Sequence, residues 1–211
     1  MLYSLLIFLY GISWTIVYIS FIRNGRKEKV YCMPFFCIIS EIIWEGLYGI
    51  TTLLYDISVQ TFFNGLWLLF AITFLCQFIK YQTVSFPQVL SKWKKRYIIG
   101  ASVIAIALQT SMFKMWSYPA NMIYSSYIHT IIISFMILLM LWIRGPRGYD
   151  LRIAILKIIG DFSAMVLSSN LYLGDIEQVD IAIICIGLAL VFTDVLFLIS
   201  FMQLTSKSLD R

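Results

Sequence analysis

Apolar residues fill seven stretches of the chain, each about as long as a helix that crosses a lipid bilayer. Charged residues collect mainly in the short segments between these stretches. An α helix satisfies its backbone hydrogen bonds internally, as any segment inside a membrane must. The pattern therefore predicts an all-α integral membrane protein, folded as a bundle of seven transmembrane helices. The predicted helices cover residues 2–22, 31–55, 61–81, 97–115, 119–143, 150–173 and 179–203.

The composition agrees with a membrane protein. Of the 211 residues, 61% are hydrophobic and 13% are charged. A soluble protein of this size has too small an interior to bury so much apolar surface. Met1 precedes an apolar helix directly, without the basic segment and cleavage site of a signal peptide, so we expect this helix to be retained. Neither a repeat nor a change in composition divides the chain, and we expect a single domain over residues 1–211.

The charges of the predicted loops indicate an orientation, because loops on the cytoplasmic side of a membrane carry an excess of Lys and Arg. Fourteen of the 16 basic residues lie on one side, so we expect the N-terminus outside or in a lumen and the C-terminus in the cytosol. The membrane would be the endoplasmic reticulum of a eukaryote or the plasma membrane of a bacterium. Since the basic residues lie between spans, the net charge of +5 does not indicate a nucleic-acid partner. The basic residues on that side are Arg23, Arg26, Lys27, Lys29, Lys80, Lys92, Lys94, Lys95, Arg96, Arg144, Arg147, Arg152, Lys207 and Arg211.

The longest predicted cytosolic connection, residues 83–97, mixes apolar and basic side chains. A segment of this kind can lie in the membrane interface, where anionic lipids attract it. An ordinary connecting loop can have the same composition, and we favour that interpretation.

Ionisable residues within predicted membrane helices are the main candidates for function, because burying them is costly. Lys157 and Asp161 lie four residues apart on one helix face, which favours a structural ion pair. His129 is the only histidine of the chain. Away from the ends of the predicted helices, the remaining acids are Glu41, Glu45 and Asp194.

Glu45 and Asp194 have no such partner on their own helices. At about 1.5 Å per residue, they lie roughly 15 Å and 20 Å from the outer ends of their helices, so they could meet near the membrane midplane. Glu41 lies one turn from Glu45 on the same face. A carboxylic acid that keeps its proton in an apolar surrounding can act as a Brønsted acid. The alternative is that these acids only form hydrogen bonds with neighbouring helices.

Aromatic residues adjoin these acids. Trp44 and Tyr48 flank Glu45, and aromatic faces can stabilise cations that water does not reach. Aromatic residues are also common at membrane interfaces, so their number alone is weak evidence. The others in or near predicted helices include Trp67, Trp116, Tyr118, Tyr124, Tyr127 and Tyr172.

Several kinds of chemistry lack their motifs in this sequence. No G-x-S-x-G, H-E-x-x-H, glycine-rich phosphate loop or acidic diphosphate motif is present, and one histidine cannot form a di-histidine site. The last predicted helix lacks the lysine that would bind retinal, and the three-helix repeats of small sugar transporters are not detected. The sequence therefore predicts no metal site. Cys32, Cys37, Cys76 and Cys185 lie in apolar stretches, as buried packing residues do.

Several segments resemble the small integral-membrane terpene cyclases of meroterpenoid and indole-diterpene biosynthesis, a family with a similar length and seven helices. IIWEGLYG is similar to the family's Trp-Glu element, and FTDVLFL to its late aspartate. The third helix departs from the family, since many members have an Asp soon after its Trp, where this chain has LWLLFAIT. The other similar segments are FNGLWLLFAITFLCQFIKYQ, NMIYSSYIHTIIISFMILLMLWIRG and YDLRIAILKIIGDFSAMV.

The resemblance implies an acid-initiated cyclase whose substrate is a lipophilic prenyl chain on a head group, commonly with a terminal epoxide. It implies that Glu45 donates the initiating proton to the epoxide or an alkene, and that Asp194 helps to hold that proton or accepts one at termination. It requires no metal or organic cofactor. Further expected substrate contacts or cation-stabilising residues are Trp44, Tyr48, Trp67, Glu41, Trp116, Asn121 and Tyr124.

Two alternatives to the cyclase stay open on the sequence. In a proton-coupled small-molecule carrier, Glu45 and Asp194 would form a binding site at the midplane. In a membrane scaffold, the same acids would have only a structural role.

Overall fold

The computed structural model describes residues 2–55, 57–86, 88–173 and 179–209. These residues form seven α helices, with short 3-10 turns at Gln88–Trp93 and Leu171–Leu173, and none of them lies in a β strand. The helices are α1 (Leu2–Glu28), α2 (Phe35–Tyr55), α3 (Val59–Ser85), α4 (Lys94–Met115), α5 (Ala120–Arg144), α6 (Leu151–Ser168) and α7 (Ile181–Leu209).

Six of these helices, all except α6, are long and apolar enough to cross a membrane. The predicted all-α, multi-pass membrane protein is therefore confirmed. α6 differs because its 18 residues include Arg152, Lys157 and Asp161. Arg152 is exposed at the start of the helix, whereas Lys157 and Asp161 are buried inside the bundle.

Three predicted helix ends differ from the structure by five or six residues, and one of them is the end of α7, which lies at Leu209 instead of residue 203. α1 continues to Glu28, so basic residues assigned to a loop lie on its last turns, where the helix dipole favours positive charge. The helix stops there because the next residue, Lys29, has a left-handed φ of 55°. α6 ends at Ser168 instead of residue 173, because the left-handed Asn170, with a φ of 59°, breaks the helical path.

The seven helices form a closed ring in the order α1, α3, α2, α4, α5, α7, α6. α2 also contacts α5, so it lies closer to the ring interior than its neighbours do. Buried polar and ionisable side chains lie inside the ring. Large apolar side chains are exposed around its outside, among them Leu5, Leu54, Leu69, Val103, Phe135, Phe162 and Phe192.

Connections at the basic end of the bundle bind one another. The Gly148 amide donates to Glu28 Oε2 at 2.8 Å, and the Tyr149 hydroxyl donates to the Cys32 carbonyl at 3.0 Å. Arg144 donates to the Tyr31 carbonyl. Burial raises the pKa of the Cys32 thiol to about 12, so this cysteine stays protonated and packs as an apolar group. These contacts join the α1–α2 and α5–α6 connections and close this end of the ring.

Candidate active site

The ring encloses two adjoining chambers. The large chamber has a volume of about 500 Å³ and lies toward the end of the bundle where α1 begins, between α1, α5 and α6. The small chamber, of about 30 Å³, lies deeper and has room for little more than a water molecule. Tyr10, Trp44, Ser126 and Thr130 belong to the walls of both chambers. The size of the large chamber suits a small organic ligand.

Glu41 and Glu45, which we call the glutamate centre, lie on the wall of the small chamber. Both are almost fully buried, at 3% and 2% exposure. Glu41 accepts a hydrogen bond from the Tyr18 hydroxyl, and its Oε2 lies 2.5 Å from His129 Nε2. Glu45 Oε2 has no hydrogen-bond partner among the described residues, which is unusual for a buried polar atom.

His129 gives Glu41 a hydrogen-bond partner that Glu45 does not have. The Gln109 amide nitrogen lies 2.6 Å from Ser40 Oγ and 2.9 Å from His129 Nδ1, so it can donate to both. When Nδ1 accepts this bond, the Nε2–H of His129 donates to Glu41. Glu41 then accepts two hydrogen bonds, whereas Glu45 Oε2 has no donor among the described residues.

Lys157, Asp161 and Asp194 form a second group, which we call the aspartate centre. Lys157 Nζ lies 2.7 Å from Asp194 Oδ1 and 3.9 Å from Asp161 Oδ2. It also donates to Ser134 Oγ at 2.6 Å, and it lies 4.9 Å from the centroid of the Trp14 ring. All three members are buried, and only Asp161 belongs to a chamber wall, that of the large chamber.

Two glycines let the helices around the aspartate centre approach closely. A Cβ at Gly160 would lie 3.0 Å from Trp14 Cδ1, so this glycine allows α1 to pack onto α6. The Trp14 indole N–H then donates to Asp161 Oδ1 at 2.8 Å. A Cβ at Gly187 would lie 2.4 Å from Met165 Cγ, which brings α7 against α6. Small residues commonly permit such contacts between membrane helices.

Aromatic rings surround the small chamber. Tyr18 makes edge contacts with Trp14 and Trp67, at centroid distances of 5.5 Å and 6.2 Å. Trp44 lies parallel to the His129 ring at 6.1 Å, and its indole N–H donates to Ser125 Oγ at 3.0 Å. Aromatic side chains therefore share this wall with Glu41 and Glu45, and such rings can stabilise a cation that water does not reach.

The structure brings four of the predicted site residues together. Glu41, Glu45, Trp44 and Trp67 line the small chamber. Asp194 does not join them, since it belongs to neither chamber wall and pairs with Lys157. As expected, Asp194 has no partner on its own helix, but its partner is Lys157 on α6 and not Glu45. The predicted Lys157–Asp161 pair is present at 3.9 Å, but Asp194 is the closer partner.

The other predicted contacts lie outside both chamber walls. Tyr48 is behind Trp44, where its hydroxyl donates to the Asn121 carbonyl at 3.0 Å. Trp116 packs against Tyr124 at 5.5 Å, and the Tyr124 hydroxyl donates to Asp180 Oδ2 at 2.5 Å. Their contact with a substrate stays a prediction.

Sequence reasoning missed three wall residues on α1. Tyr10, Trp14 and Tyr18 recur every four residues and therefore share one helix face, which was the available signal. It also gave His129 no role, although a lone histidine within a membrane helix is a candidate for proton chemistry. Among the residues that the structure describes, no three His, Cys, Asp or Glu side chains are grouped as ligands of a metal ion.

Comparison with known proteins gives a family match and short matches to individual relatives. The chain is 44% identical over 39 residues to the Pyr4-family terpene cyclase mfmH of Annulohypoxylon moriforme, covering 18% of this chain and 16% of that protein. It is 23% identical over 108 residues to the terpene cyclase ascF of Acremonium egyptiacum, covering 50% of this chain and 39% of that protein. These alignments span less than half the length of the curated relatives. No solved structure matches the chain. The family model of Pyr4-like transmembrane terpene cyclases matches residues 1–207, so the chain belongs to this family.

Proposed function

We propose that this chain is a membrane-bound terpene cyclase that starts the cyclisation of a lipophilic prenylated substrate with a proton from Glu45. The observation that carries the proposal is the buried Glu45 Oε2, which has no hydrogen-bond partner among the described residues and belongs to a residue on the small-chamber wall. Membership of the terpene cyclase family supports the reaction class. A chamber of about 500 Å³ beside this acid supports a ligand the size of a prenyl chain.

The two chambers bind different parts of the substrate. The prenyl chain and its head group occupy the large chamber, and the terminal epoxide or alkene reaches toward Glu45 at the junction of the two chambers, where Trp44 and Thr130 belong to both walls. Proton transfer to an epoxide oxygen breaks a C–O bond and leaves a hydroxyl and a carbocation. The alkenes of the chain then attack in turn, and loss of a proton from carbon forms the final double bond. Because the chamber holds the chain folded, each attack is positioned before it occurs.

The chamber walls protect the cation. Trp44, Trp67 and Tyr18 present aromatic faces at the position where charge first develops. Tyr48 acts indirectly, because its contact with Ser125 supports the side chain that holds the Trp44 indole. The small chamber has room for little more than a water molecule, so a substrate group that enters beside Glu45 displaces water that would quench the cation early.

The proposal includes a topology in which all seven helices cross the membrane, with the N-terminus outside or in a lumen and the C-terminus in the cytosol. α6 can span despite its charges because Lys157 is paired with carboxylates inside the ring. In this orientation the large chamber opens toward the outer or lumenal end of the bundle. Lipophilic substrate would enter from that side of the bilayer.

The test compares Glu45→Gln with Glu28→Gln in membranes that contain the protein, because Glu28 lies outside both chamber walls and a glutamine oxygen can still accept the Gly148 N–H. Synthetic farnesylated phenols, with and without a terminal epoxide, serve as probes, and mass spectrometry follows cyclic products of unchanged mass. We expect Glu45→Gln to lower the rate by about 10²- to 10⁴-fold, because the general acid is lost while the side-chain shape is kept. Glu28→Gln should match the wild type. A Glu45→Gln protein with the wild-type rate would contradict the assignment, and conversion of neither probe by the wild type would contradict the cyclase.

A further inference from the structure

The aspartate centre contains a carboxyl group that the initiating step does not use. Asp161 is 1% exposed, yet it belongs to the wall of the large chamber. Its Oδ1 accepts the Trp14 indole N–H, whereas its Oδ2 has no hydrogen-bond partner among the described residues. A buried carboxyl oxygen without a hydrogen bond, 3.9 Å from the nearest ammonium group and beside a ligand-sized chamber, calls for an explanation.

The aspartate centre has one more carboxyl group than it has ammonium groups, so it can bind one proton. Two carboxyl groups face a single ammonium group, Lys157, which lies much closer to Asp194 than to Asp161. Asp194 is therefore the ion-pair partner of Lys157, and Asp161 is the carboxyl group in excess. Lys157 and the Trp14 N–H are the two groups placed to stabilise the carboxylate form of Asp161, which is the form that accepts a proton.

Asp161 and Asp194 also differ in their positions relative to the chambers. Asp194 is fully buried on α7 and belongs to the wall of neither chamber. Asp161 is the only carboxylic acid among the described wall residues of the large chamber, where the later part of a cyclisation cascade would take place. The first proton comes from the small chamber, so initiation and termination have separate groups.

We propose that Asp161 is the catalytic base that removes the final proton from the cyclised cation, and that Asp194 and Lys157 position it. This inference rests on the proposed cyclase function. In the terminating step, a C–H bond next to the cationic carbon breaks, its electron pair forms the double bond, and the proton binds Asp161 Oδ2. Glu45 has lost one proton and Asp161 has gained one, so the substrate is isomerised without a net change in protons. Transfer of that proton from Asp161 to Glu45 after product release restores the starting state.

The first experiment measures rate and product identity for Asp161→Asn, Asp161→Glu, Asp194→Asn and the control Asp150→Asn. Asp150 caps the start of α6, outside both chamber walls, and asparagine also caps helices well. With the farnesylated phenol probes, we expect Asp161→Asn to lower kcat by about 10²- to 10⁴-fold at an unchanged KM. Its residual products should shift to isomeric alkenes or water adducts, because the cation then loses its proton elsewhere or captures water.

The other variants separate catalysis from positioning. Asp161→Glu should restore the wild-type product, since it restores a carboxylate at this wall. Asp194→Asn should be slower than the wild type but form the same product, and Asp150→Asn should match the wild type. A wild-type rate and product from Asp161→Asn would overturn the inference. So would an altered product from Asp194→Asn without one from Asp161→Asn.

A binding experiment tests Asp161 without turnover. The probe is N,N-dimethylfarnesylamine, whose protonated amine carries the charge of a terpenoid cation, and calorimetry on detergent-solubilised protein measures its Kd. We expect Asp161→Asn to bind about tenfold or more weakly than the wild type and Asp150→Asn to bind equally well. Equal binding by Asp161→Asn would overturn the inference. If the wild type cyclises neither phenol, the proposed function fails, and this binding result still decides whether Asp161 faces a cation.

Discussion

The glutamate centre lines the small chamber and the aspartate centre reaches the large chamber through Asp161, and the two centres give their carboxyl groups opposite surroundings. In the glutamate centre, Glu41 has a histidine and a tyrosine as partners, and Glu45 Oε2 has no hydrogen-bond partner among the described residues. In the aspartate centre, a buried lysine contacts both carboxyl groups. No lysine or arginine belongs to the described wall of the small chamber.

In the proposed reaction, the glutamate centre supplies the first proton and the aspartate centre accepts the last one. A carboxyl group without a cation in an apolar surrounding keeps its proton, whereas one beside an ammonium group gives it up. Two carboxyl groups with opposite surroundings are the usual means by which one site holds both an acid and a base. Trp14 joins the two centres, because its ring lines the small chamber while its N–H binds Asp161.

Of the variants that test the difference between the two centres, the removal of Lys157 should have the largest effect on stability. Lys157→Met leaves two carboxyl groups in the interior without their cation, which we expect to destabilise the protein by about 3–5 kcal/mol. Thermal unfolding in detergent, followed by tryptophan fluorescence, measures this loss. Lys114→Met, an exposed lysine on the last turn of α4, is the control and should change little.

A double variant shows whether charge causes that loss. Lys157→Met combined with Asp194→Leu replaces the ion pair by apolar groups, so it should recover much of the stability. Activity should not recover, because Asp161 then lacks the groups that position it. If Lys157→Met is as stable as Lys114→Met, the lysine does not define the aspartate centre.

Removing His129 should weaken the glutamate centre by a smaller amount. His129→Leu takes one donor from Glu41, and an unpaired buried acceptor costs about 1–3 kcal/mol. Glu41 would then compete with Glu45 for the proton, so kcat should fall, by less than in Glu45→Gln. His129→Gln keeps one N–H for Glu41 and should recover part of both losses. Wild-type stability and kcat in His129→Leu would show that Glu41 does not depend on this donor.

The sequence was sufficient to predict the helices and the glutamates of the site. Apolar stretches of bilayer length identify helices because the membrane excludes other open structures, and Glu41 and Glu45 stand out within such a stretch. Helix spacing also placed Trp44 beside Glu45. These predictions depend on one helix at a time, where the period of the helix fixes which residues share a face.

The partners of the acids were not predictable in the same way. Asp194 seemed unpaired because its own helix offers no cation, yet Lys157 reaches it from α6. His129 and Tyr18 reach Glu41 from α5 and α1, which are distant in sequence from α2. Such contacts depend on the order of the helices around the ring, and the hydrophobic pattern of each helix does not contain that order.

The smallest expected effect concerns Trp14, the residue that joins the two centres. Ala at Gly160 puts a Cβ 3.0 Å from Trp14 Cδ1 and 3.3 Å from Ser13 Cβ, whereas a Cβ at Gly65 on α3 meets nothing within 4 Å. Both changes gain the same helix propensity, so their difference in unfolding temperature isolates the contact with α1. We expect Gly160→Ala to be about 1 kcal/mol less stable than Gly65→Ala, and to be slower, because Trp14 moves away from Asp161. Equal stability and equal rates in the two variants would show that the close packing of α1 on α6 does not position the aspartate centre.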